Sequence, residues 1–104
     1  MKAAIAVALA AMLAGLSVQA APSAARQEQL RNIVEQDCGS CHGLTRRGGL
    51  GAPLVAERLA DFGDEALAAT ILDGRPGTPM PPWRGLLSEE DARWIVRHLK
   101  GEGP

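Results

Sequence analysis

The chain has 104 residues, room for one small domain and no more. Eleven Lys and Arg against twelve Asp and Glu leave a formal charge of -1, so no basic field exists to hold a nucleic-acid backbone. Hydrophobic residues make up 46% of the chain, yet many are alanines, with one Phe, two Trp and no Tyr, and a core built from these alone is thin.

Lys2 precedes an almost unbroken apolar run from Ala3 to Leu16, followed by Ser17-Val18-Gln19-Ala20. A basic start, a short apolar stretch and a small-residue end describe a secretory signal peptide over residues 1–20, with cleavage expected after Ala20. The run falls short of the roughly 20 apolar residues a membrane span needs, which disfavours an uncleaved anchor. The expected mature domain, residues 21–104, carries ten basic and twelve acidic groups, a net charge of about -2 that suits a partner with a basic patch. It holds all seven prolines, eleven of the twelve glycines and both cysteines, so long ordered loops need something to wrap around.

In chain order, Ser23 can cap a helix over Ala24 to Asp37, with Leu30, Ile33 and Val34 on one face. A glycine-rich loop, Leu44 to Ala52, and a short helical turn, Pro53 to Ala60, follow. Asp64 is placed to cap a helix over Glu65 to Leu72, closed by Gly74. Pro76, Pro79, Pro81 and Pro82 exclude a helix from Arg75 to Leu87. Ser88 and Asp91 then have capping-box spacing, and Ala92, Ile95, Val96 and Leu99 trace one stripe to Gly101, with Trp94 off it. Alternating strand patterns are absent, and the expected fold is all-α.

Cys38-Gly39-Ser40-Cys41-His42 has the Cys-x-x-Cys-His spacing that attaches a c-type haem: two thiols reach the porphyrin vinyl groups and the adjacent imidazole turns beneath the iron. A thioredoxin-like dithiol requires a βαβ context that is missing, and a zinc site finds only His98 as a fourth soft ligand. A plain disulfide leaves His42 without a task. Haem c uses all three residues and also fills out the thin core. For the other face of the iron, Met80 is the only methionine beyond residue 20, and its setting among Pro79, Pro81 and Pro82 can hold a thioether in place. His98, the rival, falls in the last turn of the final helix, where a cationic side chain complements the helix dipole. Trp83 and Trp94 are expected in core packing. Arg46, Arg47, Arg75 and Arg84 are open between propionate partners and solvated side chains.

Helix, haem motif, short helices, methionine loop and terminal helix together resemble class I c-type cytochromes over nearly all of residues 21–104. The resemblance implies a small monohaem fold in which the N- and C-terminal helices pack together. Cys41-His42-Gly43-Leu44-Thr45 with Gly48-Gly49-Leu50-Gly51, and Ile71-Leu72-Asp73-Gly74-Arg75-Pro76-Gly77-Thr78-Pro79-Met80-Pro81-Pro82-Trp83, are similar more narrowly to the small periplasmic monohaem cytochromes found with cytochrome cd1 nitrite reductases. That likeness implies a periplasmic one-electron carrier, not an enzyme, with haem c bound by Cys38, Cys41, His42 and Met80. Its implied partners are the nitrite reductase and the cytochrome c maturation machinery, with neither nucleic acid nor a stable membrane association. An accessory role in haem d1 maturation is the alternative, and a small haem enzyme or gas sensor a more distant one. Where the family often has Gly-Pro after the haem motif, this chain has Gly51-Ala52-Pro53, which leaves open which carbonyl receives the proximal imidazole's hydrogen bond.

Overall fold

The computed structural model describes residues 21–102. The signal-peptide assignment to residues 1–20 lies outside them. Five α-helices make up the regular structure: α1 (Ala24–Ile33), α2 (Gly39–His42), α3 (Ala56–Leu59), α4 (Asp64–Asp73) and α5 (Glu89–Leu99), and there is no strand among the described residues.

Ser23 caps α1 by accepting the Arg26 amide at 3.1 Å. The helix does not stop at Asp37. It continues as a π-helical turn, Val34–Cys38, and then as α2, so one continuous rod runs from Ala24 to His42. The Gly39 amide reaches back five residues to the Val34 carbonyl. This wider turn rotates the haem motif relative to the stripe formed by Leu30 and Val34, and such turns recur at functional sites.

At the other end of the chain, Ser88 and Asp91 form a reciprocal capping box: the Ser88 hydroxyl accepts the Asp91 amide and the Asp91 carboxylate accepts the Ser88 amide, each at 3.0 Å. Asp64 departs from its expected role. Gly63 occupies the cap position without a side-chain hydrogen bond, and Asp64 is the first residue of α4, where its carboxylate receives the Lys100 ammonium. The expected turn at Pro53 to Ala60 contracts to Ala56–Leu59, because the chain through Pro53 to Val55 stays extended up to the Val55 cap.

Leu30 and Val34 from the first rod and Ile95 and Val96 from α5 are the largest fully buried side chains, joined in one cluster by Ala68 and Leu72 of α4, Leu87, Ala92 and Trp94. Each fully buried aliphatic contributes about 1.5–3 kcal/mol. Ile33 and Leu99, also expected at the contact of the terminal helices, pack on this cluster half-buried. Trp94, off the α5 stripe, is nonetheless buried: His98 stacks on it with ring centroids 4.9 Å apart and the Arg31 guanidinium lies 5.7 Å from its ring centre. The indole therefore closes a second face of α5, against the first rod. Arg26 adds a polar tie between the two terminal helices, donating to the Asp91 carboxylate at 2.8 and 3.3 Å and to the Leu86 carbonyl at 3.0 Å.

Candidate functional site: a haem-sized cavity between two loops

Two helices end at the site, and in each case the loop that follows turns back to satisfy the carbonyls left over at the helix C-terminus. After α2, the Gly51 amide donates to the Cys41 carbonyl and the Gly48 amide to the His42 carbonyl, both at 2.8 Å. After α4, the amides of Trp83 and Arg84 each donate to the Leu72 carbonyl at 3.0 Å. The first loop fixes His42, and the second carries Met80.

The His42 Nδ1 lies 2.7 Å from the Ala52 carbonyl. A carbonyl only accepts, so Nδ1 carries the proton and Nε2 keeps its lone pair for a metal. The acceptor that the sequence leaves open is thus Ala52 and not Pro53. Gly51 lies flat against the imidazole: a Cβ there would come within 2.7 Å of the ring. Orientation by a backbone carbonyl on one side and a bare glycine on the other leaves the ring little freedom.

Between the loops lies a cavity of about 640 Å³. Cys38, Cys41, His42 and Met80 all line it, and Leu54, Leu59, Leu67, Ile71, Trp83 and Val96 are among its largely apolar walls. Cys38 and Cys41 are unpaired and half-buried, and burial, reinforced by neighbouring Asp37, pushes the Cys38 thiol up. The residues suit a haem: an apolar slot of ligand-binding size, two thiols and an oriented imidazole within it, and a thioether in its lining.

His98 does not line this cavity. Burial, then the charges of Arg46 and Arg31, lower its pKa, with Glu35 opposing, and the ring stacks on Trp94. It stands in the last turn of α5 as expected, in surroundings that disfavour the cation expected there. The described residues contain no group of three or more His, Cys, Asp or Glu able to hold a metal ion. Trp83 faces the cavity as well as the core. Of the four arginines left open, Arg75 lines the cavity while Arg84 is paired with Asp73 and Glu89 outside it. Arg58, on α3, also lines the cavity, and sequence reasoning missed it because a single exposed Arg on a short turn carries no distinguishing signal.

Among the described residues no helix is long and apolar enough to cross a membrane. The family model described as cytochrome C oxidase, cbb3-type, subunit III matches residues 25–99. Cytochrome c55X of Paracoccus denitrificans (strain Pd 1222) is 57% identical over 91 residues, covering 88% of each chain. The solved structure of the c-type cytochrome NirC superposes with a TM-score of 0.75 at 57% identity, covering 77% of this chain and 94% of that one. The structure of dihydro-heme d1 dehydrogenase NirN in complex with DHE matches at 34% identity with a TM-score of 0.63, over 71% of this chain but 16% of that protein. Taken with the helical fold of the described residues and a cavity lined by a Cys-x-x-Cys-His segment, these likenesses mean that the chain belongs to the class I c-type cytochromes and carries a covalently bound haem c.

Proposed function

We propose that this cytochrome is a periplasmic one-electron carrier in dissimilatory nitrite reduction, exported by residues 1–20, with residues 21–104 as the haem domain. Cys38 and Cys41 form the thioethers, His42 is the proximal ligand and Met80 the distal one. The observation that carries the reading is the placement of His42 and Met80 on the lining of one cavity, each in a segment tied back to a helix end. The haem supplies reversible one-electron chemistry at its iron. The chain's part is to orient and exclude. Ala52 holds the His42 proton on Nδ1, the proline loop presents Met80 with few backbone alternatives, and the apolar walls keep bulk water away. Were His42 and Met80 both to hold the iron, no position would be left for a substrate, which suits a carrier of electrons. Thioether ligation raises the potential relative to two imidazoles.

Replacing Met80 with Ala is expected to abolish the sulfur-to-iron charge-transfer band of the oxidised protein and to lower its potential. An unchanged band and potential overturn the assignment of Met80.

A second reading is an accessory role in maturation of haem d1, favoured by the likeness to a domain-sized part of a dihydro-heme d1 dehydrogenase. Deleting the protein separates the two. A cytochrome cd1 nitrite reductase that is complete but starved of electrons is the expected result; a reductase present but lacking haem d1 establishes the maturation role instead.

A further inference from the structure

The loop that carries Met80 is closed at its neck by an ion pair in an unusual place. Asp73 is the last residue of α4, where the helix dipole disfavours a carboxylate, and no basic residue occupies that final turn. The compensating charge comes from across the loop. Arg84 Nη2 lies 2.8 Å and Nε 2.9 Å from Asp73 Oδ1, and Nη1 lies 3.9 Å from a Glu89 carboxylate oxygen in the first turn of α5. The Arg84 amide meanwhile caps the Leu72 carbonyl at the same helix end. Side chain and backbone of one residue thus both pin the returning limb of the loop to α4.

The remaining ties around Met80 are few. The four prolines of the segment offer no amide. Met80 itself donates to the Thr78 hydroxyl at 3.3 Å and accepts from the Arg75 amide at 3.2 Å, both partners being inside the loop. Closure of the loop onto the rest of the molecule therefore rests on Trp83 and Arg84. The charge pattern extends beyond this point, since Arg93 pairs with both Glu89 and Glu65 and links the start of α5 to the start of α4.

We propose that Arg84 is a positioning residue for Met80: its guanidinium, bound to Asp73 and Glu89, latches the proline loop shut and so keeps the thioether at the cofactor. The proposal rests on the reading of Met80 as the distal ligand. An exposed ion pair alone contributes little, but here the same cation also offsets a carboxylate at a helix C-terminus, and the two effects add. The latch is solvent-exposed, with the two side chains 54% and 59% accessible, so salt must weaken it.

The test is imidazole binding to the oxidised holoprotein. An external ligand enters only when the loop opens, so its apparent affinity scales with the open fraction. Arg84→Gln is expected to tighten imidazole binding about five- to tenfold, Arg84→Lys to keep most of the wild-type behaviour, and Asp73→Asn/Arg84→Gln to recover part of the loss. Raising sodium chloride to about 1 M should move the wild type toward the Gln variant and leave that variant almost unchanged. Because the latch stabilises the closed native state, the same five- to tenfold change should appear in urea unfolding as a loss of about 1–1.4 kcal/mol, whereas a residue serving only general stability would show that loss with unchanged imidazole affinity and salt response. Wild-type affinity and salt response in Arg84→Gln, beside a normal charge-transfer band, overturn the latch and leave the carrier function intact. A wild type with no charge-transfer band overturns the ligand assignment, and the latch with it.

Discussion

Replacing Asp91 with Ala is expected to cost about 2–4 kcal/mol and lower the thermal midpoint by more than about 10 °C, measured by circular dichroism on the holoprotein. The Asp91 side chain is 10% exposed and serves two structures at once. It completes the capping box of α5 through the Ser88 amide, and it receives two bonds from Arg26 that tie α5 to α1. Truncation leaves the Ser88 amide without its acceptor and strips the guanidinium of its charge partner, although Arg26 keeps its bonds to Leu86 and Gln29 and the Ser88 hydroxyl still caps the helix. The same contacts set a pH signature. Burial pushes the carboxyl up, but the hydrogen bonds from Arg26 and Ser88 outweigh it, and the group ionises below the usual carboxylate range. A depressed folded-state value means that the stabilisation is full above about pH 4, the unfolded value, and is lost as pH falls through the folded one. The gap in stability between wild type and Asp91→Ala should therefore narrow below about pH 4. A gap that stays constant down to pH 2 would show that Asp91 acts through packing alone.

The second large effect is expected at Gly74. Its φ of 69° and ψ of -168° lie in a region essentially restricted to glycine, and a Cβ there would come within 2.7 Å of the Met80 carbonyl oxygen and of the Pro81 carbonyl carbon. Gly74→Ala adds backbone strain to a collision with the segment that carries the thioether, together about 2–4 kcal/mol. Because the crowding falls on Met80 and Pro81, the charge-transfer band should be lost while the far-ultraviolet signal of the helices persists. Gly77 is the control. It also has a positive φ, 79°, but its Cβ would meet nothing within 4 Å, so Gly77→Ala should show strain alone and keep the band. Equal effects at the two positions would mean that proximity to Met80 is irrelevant.

Where side-chain chemistry sets the structure, the sequence foretold it. The capping box at Ser88 and Asp91, the cap at Ser23, the positive-φ closure of α4 at Gly74 and the proline-blocked segment around Met80 all follow from residue type and spacing, and all are present. Cys38, Cys41, His42 and Met80, singled out on the same grounds, come to one cavity. What escaped notice depends on the backbone or on distant partners. The π turn at Val34–Cys38 uses residues that an α-helix accepts equally well, so nothing in their identity marks it. The Ala52 carbonyl is available in any residue, and only the path of the loop selects it. Asp64 resembled a cap because the sequence does not show that Lys100, 36 positions later, claims its carboxylate. His98 looked like a helix-end cation because its stacking on Trp94 depends on how α5 is buried.

The bond from the His42 ring to Ala52 carries one more implication. Since the accepting oxygen is part of the peptide chain, exchanging the residue at position 52 cannot delete it. The proton on Nδ1 is thereby shielded from substitution at that position. The ring's setting is instead vulnerable next door, where a Cβ at Gly51 would come within 2.7 Å of it, and to insertions or deletions that reroute residues 48–53.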